Sequence, residues 1–246
     1  MSKDRLQMSD EPWSQDFIAR RNAARARLDA MNPHLKPGGD VSDLTRVDWF
    51  STVYDVAGDD PANIPWARLA PNPFLAEWLA QEGALTGQRA LDVGCGLGDN
   101  AEALAAAGAK VTAFDYIGRA IEWAKQRFPQ SLVEYRVANL LEPLEEWRNA
   151  FDLVHETYTL QALAPSLLPR AAHTLASFVA PSGRLVVITS AREDSEPQTT
   201  PWRPLTRADI DGLSVDGLTL ETLEDIPEQD EFTPRHWRAT LTRRGG

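Results

Sequence analysis

The sequence predicts an α/β protein, a doubly wound and mostly parallel sheet with helices on both faces. Three observations predict it. Between residues 89 and 190, short apolar runs alternate with helical patterns, the mark of strand–helix–strand units joined by right-handed crossovers. The apolar runs are those of strands covered on both faces. Directly after the first run comes a turn with glycine at positions 94, 96 and 98, where such sheets bind ligands.

The elements follow in order. Residues 1–70 read as a helical cap or lid, and residues 71–246 as the main domain. In the cap, "SQDFIARRNAARARLDAM" is helical and stops before Asn32-Pro33. Its Arg20, Arg21, Arg25 and Arg27 are expected on a solvated face. "NPHLKPGGD" is a loop. "RVDWFSTVYDVA" is a second helix with Val47, Phe50 and Tyr54 on one face. "GDDPANIPWARLAPNP" is too proline-rich for regular structure. Asn72 and Pro73 can cap and open a helix that stops at Gly83.

In the main domain "RALDVG", "KVTAFD", "LVEYRVA", "FDLVHET" and "RLVVIT" are strands. "DNAEALAAAG", "GRAIEWAKQRF" and most of "PSLLPRAAHTLASFVAP" are helices. The tail carries a connection at 191–211, then "LTLETLEDI" and "RHWRATLTR". Both alternate as half-buried strands do, and an antiparallel pair at one sheet edge is expected.

Composition narrows the function. The chain has 246 residues, 43% of them hydrophobic, and a net charge of −11, which disfavours a nucleic-acid partner. The single cysteine, Cys95, allows no internal disulfide, so a cytoplasmic setting is expected. The polar, acidic start is unlike a signal peptide. No apolar run approaches the ~20 residues of a membrane span. No cluster has metal-ligand spacing, and no metal is expected.

The glycine turn separates two ligand classes. A dinucleotide site needs G-x-G-x-x-G, but here the spacing is G-C-G-L-G. Asp92 stands two residues before Gly94, where it repels a pyrophosphate and attracts an ammonium group. The helix after the turn offers free N–H groups to a carboxylate. Asp115 ends the second strand, where a carboxylate takes both ribose hydroxyls. A ligand with an amino-acid end and a ribose satisfies all of these, and S-adenosylmethionine has both.

"ALDVGCGLGDNA" followed by "VTAFDYIGRAIEWAK" resembles the class I S-adenosylmethionine-dependent methyltransferases over residues 85–190. The resemblance implies a seven-stranded sheet ordered 3-2-1-4-5-7-6 with strand 7 antiparallel. It implies that Asp92 lies near the methionine ammonium and that Gly94, Cys95, Gly96 and Gly98 line the methionine and ribose. Asp115 holds the ribose hydroxyls and Tyr116 packs on adenine. Asn139 stands where many members have an acid. Its carbonyl oxygen can accept from the adenine amino group, and the Leu140 N–H can donate to the ring.

The acceptor belongs after strand 4, at "FDLVHETYTLQALAP". The N-P-P-Y-like motif of base methyltransferases is missing there. Glu156 and Tyr158 are the candidates to orient the acceptor or take its proton, and Glu156 and Thr157, at the cleft, are also expected to contact the cofactor. His155 and His173 are expected to be structural. The aromatics Trp13, Phe17, Trp49, Phe50, Tyr54, Trp66 and Trp202 supply core and lid. "GDDPANIPWARLAPNPFLAEWL" resembles the region before the first motif in thiopurine and tellurite-resistance methyltransferases. The expected function is methyl transfer from S-adenosylmethionine to a small molecule, such as a thiol or other soft nucleophile, leaving S-adenosylhomocysteine. The alternatives are a protein or RNA methyltransferase and a non-catalytic binder of the same cofactor.

Overall fold

The computed structural model describes residues 14–31, 43–196, 203–229 and 233–245. Trp13, Trp202 and the loop at 32–40 lie outside them. The sheet has seven strands: β1 (Arg89–Val93), β2 (Lys110–Asp115), β3 (Glu134–Val137), β4 (Phe151–Thr157), β5 (Val179–Ser190), β6 (Leu218–Ile226) and β7 (His236–Arg243). Their order is β3-β2-β1-β4-β5-β7-β6. The first five pair in parallel, and β7 runs antiparallel to β5 and β6. This is the topology the resemblance implied, with the tail strands paired at the β6 edge.

Alternation along each strand feeds two cores. Leu91, Val93, Val154, Leu185 and Val187 face one side, against α6 (Leu168–Phe178). Ala90, Leu153, Val186 and Ile188 face the other. There they meet α3 (Pro73–Glu82), α4 (Asp99–Ala106) and α5 (Gly118–Arg127). α3 forms as its sequence predicts. The Asn72 side chain accepts from the Phe74 N–H, Pro73 opens the helix, and Gly83 closes it at φ 83°. Arg238 on β7 fixes its start, donating to the Phe74 carbonyl at 2.8 Å while pairing with Glu224 of β6.

The cap comprises α1 (Gln15–Met31) and α2 (Asp43–Val56), then an irregular stretch with one short 3-10 turn, Pro61–Asn63. α2 brings Trp49, Val53 and Tyr54 against Leu97, Ile117, Ala120 and Trp123, so the cap sits on the glycine turn and on α5. Trp49, Phe50 and Trp66 pack ring against ring at 5.2–5.5 Å. Arg25 and Arg27 are exposed, as a solvated face requires, while Arg20 and Arg21 depart from that expectation. Arg20 binds Asp60 at 2.7 Å, Arg27 binds Asn63 at 2.8 Å, and Arg21 is buried with one N–H toward the Ala67 carbonyl. They clamp α1 onto the irregular stretch.

Candidate active site

β1 ends against a tight turn. Gly94, Gly96 and Gly98 all have positive φ, a region closed to most side chains. The three glycines serve different ends. A Cβ on Gly94 would lie 2.1 Å from Thr159 Oγ1, and one on Gly98 would lie 2.5 Å from the Tyr135 hydroxyl. At these two positions the protein's own side chains take up the room. Above Gly96 only the Tyr54 hydroxyl comes near, at 3.5 Å, which leaves the backbone approachable there. Arg127 braces the turn from α5. It donates to the Leu97 carbonyl at 2.6 Å and binds Asp99 with both nitrogens at 2.8 and 2.7 Å.

Asp115 joins the turns after β1 and β2. Its Oδ2 accepts from Gly96 N–H and its Oδ1 from Ile117 N–H, both at 2.9 Å. Each oxygen keeps a lone pair for a ligand hydroxyl. Loss of hydration pushes its carboxyl pKa up; the backbone N–H groups of Ile117, Gly96 and Tyr116 pull against that, and the charge of Asp92 adds to it. Tyr116 follows, half exposed. Asn139 uses its side-chain oxygen to accept from Leu141 N–H at 2.9 Å, which leaves a second lone pair. Leu140 is buried. Cys95 donates its backbone N–H to the Phe114 carbonyl. Its thiol pKa is pushed well up by burial among its neighbours and by the charges of Asp115 and Asp92.

β4 presents its two faces differently. Glu156 is buried, and its Oε1 accepts from the N–H groups of Thr159 and Leu160. Its Oε2 has no hydrogen-bond partner. Burial raises the pKa of this carboxyl to about 8, against the pull of the two backbone donors, so at neutral pH it holds its proton. It shapes the turn rather than facing the cleft. Tyr158 has φ 65°. Its hydroxyl accepts from Asn72 Nδ2 at 3.2 Å and lies 2.8 Å from His236 Nε2. His236 Nδ1 is bonded to the Pro234 carbonyl, so Nε2 is an acceptor and Tyr158 donates to it. Burial lowers the pKa of His236 to about 4, with Arg68 adding to the effect.

On the opposite face, Asp92 and His155 are cross-strand neighbours, both buried. Asp92 Oδ1 lies 2.7 Å from His155 Nδ1, and Thr157 Oγ1 lies 2.8 Å from His155 Nε2. Asp92 Oδ2 has no hydrogen-bond partner. The structure thus brings Asp92, Gly94, Cys95, Gly96, Gly98 and Asp115 together at the carboxyl ends of β1 and β2, with Thr157 at the end of neighbouring β4. It adds Tyr54 as the roof and Thr159 as the floor of the glycine turn. The alternation of β4 separates Glu156 from His155 and Thr157, but which strand faces His155 depends on register. His173 is half exposed and pairs with Asp216 at 2.8 Å.

These residues fit S-adenosylmethionine. The spare lone pairs of Asp115 suit ribose hydroxyls, and the open backbone at Gly96 admits close approach. Among the described residues no helix is long and apolar enough to cross a membrane.

Fold and site together define a nucleotide-binding α/β domain of the Rossmann-like kind. The methyltransferase-domain family matches residues 90–183. The ubiquinone biosynthesis O-methyltransferase of Xanthomonas campestris pv. campestris (strain B100) is 33% identical over 166 residues, 66% of this chain and 67% of that one. Its counterpart in Bordetella avium (strain 197N) is 40% identical over 88 residues, 35% of this chain and 36% of that one. The aligned stretches thus span about a third to two thirds of these relatives' length. Among solved structures, N-methyltransferase NodS from Bradyrhizobium japonicum WM9, in complex with S-adenosyl-L-homocysteine, superposes with a TM-score of 0.63. It has 22% identity over 79% of this chain and 97% of that one. The chain belongs to the class I S-adenosylmethionine-dependent methyltransferases, and S-adenosylmethionine is the cofactor of that family.

Proposed function

We propose that the protein methylates a small molecule at a thiol or other soft nucleophile by direct in-line displacement. The observation that carries this reading is the roof. Tyr54 stands over Gly96, backed by the packed rings of Trp49, Phe50 and Trp66. A strand-end crevice roofed by aromatic side chains suits a compact acceptor better than a polymer, and the net charge of −11 points the same way.

In this reading Asp92, Gly94, Cys95, Gly96 and Gly98 line the amino-acid end, Asp115 takes the ribose, and Tyr116, Asn139 and Leu140 flank the base. Bound there, S-adenosylmethionine supplies a sulfonium-activated methyl group. The chain's part is to hold the acceptor in line and keep water out. Glu156 and Tyr158 act by fixing the turn that orients the acceptor. A second reading, a phenolic oxygen as acceptor, draws support from the name of the relatives, which are O-methyltransferases. Incubation with methyl-labelled S-adenosylmethionine and a panel of thiols, phenols, amines and carboxylic acids tests both. Labelled product from a thiol or phenol is expected. Cofactor binding in calorimetry without turnover of any acceptor would leave a binding protein instead.

A further inference from the structure

Three groups in the crevice form a chain with a direction. A carboxylate oxygen only accepts hydrogen bonds, so the 2.7 Å contact with Asp92 Oδ1 places the imidazole proton on His155 Nδ1. In the neutral ring Nε2 then carries a lone pair. The Thr157 hydroxyl, 2.8 Å away, must donate to it. That leaves the two lone pairs of Thr157 Oγ1 to accept a proton from outside. Asp92 and His155 are sealed off, at 1% and 0% exposure, while Thr157 at the end of β4 is only half buried. The arrangement is built into the sheet. Asp92 and His155 are register partners of β1 and β4, and Thr157 follows two residues on, on the same face.

We propose that Thr157, His155 and Asp92 form a proton relay through which the acceptor is deprotonated as it is methylated. This deepens the small-molecule reading and rests on it. The acceptor's X–H proton passes to Thr157 Oγ1 as the Thr157 hydroxyl proton passes to His155 Nε2. The pair freed on X makes the bond to the methyl carbon, and the pair of the broken carbon–sulfur bond stays on sulfur. The imidazolium so formed is balanced by Asp92. Thr157 is the catalytic residue of the three; His155 and Asp92 are positioning residues that act through it. The relay matters for acceptors that must lose a proton and is idle for one already ionised.

Two measurements test it. The first needs no acceptor: long-range nitrogen–proton NMR of the protein, free and saturated with S-adenosylhomocysteine, with the His155 signals assigned through His155→Gln. Protonation at Nδ1 with a bare Nε2 is expected, along with a changed Nε2 shift in Thr157→Val. A proton on Nε2 overturns the proposal, because no lone pair is left to receive one. The second compares catechol, which must be deprotonated, with thiophenol, which is largely ionised near neutral pH. Thr157→Val is expected to lower turnover of catechol about 100-fold more than turnover of thiophenol, with Thr157→Ser restoring catechol. Equal losses with both probes, no loss with catechol, or wild-type transfer to thiophenol alone would overturn it. If neither probe is turned over, the tautomer decides by itself. Failure of S-adenosylmethionine to bind in calorimetry strikes the methyltransferase reading instead and leaves the tautomer result standing.

Discussion

The turn after β1 and the turn after β4 lie against each other, yet they are made in different ways. Residues 94–98 include three glycines, and at Gly96 the main chain is left open to close approach. Residues 157–160 include none, and each polar side chain there is engaged: Thr157 with His155, Tyr158 with His236 and Asn72, Thr159 with the Val93 carbonyl. Glu156 holds the second turn from beneath. The two meet where Thr159 occupies the space a Gly94 side chain would need. In the proposed reading, one turn offers bare backbone at Gly96 to a ligand common to the whole family. The other places side chains, which is where selectivity for an acceptor can be written.

Substitutions can break this contrast, beginning with the contact between the turns. Gly94→Val meets Thr159 Oγ1 head-on at a φ of 66° and should destabilise the fold by more than ~3 kcal/mol, read by denaturant unfolding. Gly94→Ala with Thr159→Ala should recover the steric part and leave a backbone cost of roughly 1–2 kcal/mol.

Glu156 tests the second turn through pH. Its folded-state pKa, about 8, stands above the ordinary carboxyl value of 4.5. Between these pH values the folded chain keeps a proton that the unfolded chain has lost, so stability falls as pH rises. Glu156→Gln removes this dependence. Its stability relative to wild type should climb by several kcal/mol between about pH 4.5 and 8 and then level off.

His236 gives the opposite slope. Its folded pKa, about 4, lies below the ordinary 6.5, so the wild type should lose up to about 3 kcal/mol as pH falls through that window. His236→Gln should not show this loss in thermal melts across the same range. The smallest effect belongs to the first turn. Asp115→Ala should weaken S-adenosylmethionine binding by about 1–3 kcal/mol in calorimetry, and unaltered affinity would refute its assignment to the ribose.

Much of the first turn was legible in the sequence, and little of the second. Glycine spacing, the acid at the end of β2 and the alternation of strand with helix are local patterns. They gave β1, β2, β4 and β6 their observed places, while the strand order came from the family resemblance those patterns carry. The His155 contact is not local. Its partner, 63 residues away, is fixed by how β1 registers against β4, so the sequence suggested a packed or surface histidine ahead of a base. Two of the α1 arginines mislead for the same reason. Arg20 and Arg21 read as a solvated face until Asp60 and the Ala67 carbonyl are brought up beside them. β5 begins at Val179, before the predicted "RLVVIT", because its pairing with β4 resumes across an irregularity between Phe151 and Leu153.

Cys95 lies in the very turn proposed to cradle an alkylating agent. A thiolate there would be the nucleophile best placed to be alkylated by mistake. With two carboxylates nearby and little water to solvate a negative sulfur, the thiol keeps its proton. Under the proposed reading, the acids assigned to the donor's cationic and hydroxylated groups add to the burial that quiets this sulfur.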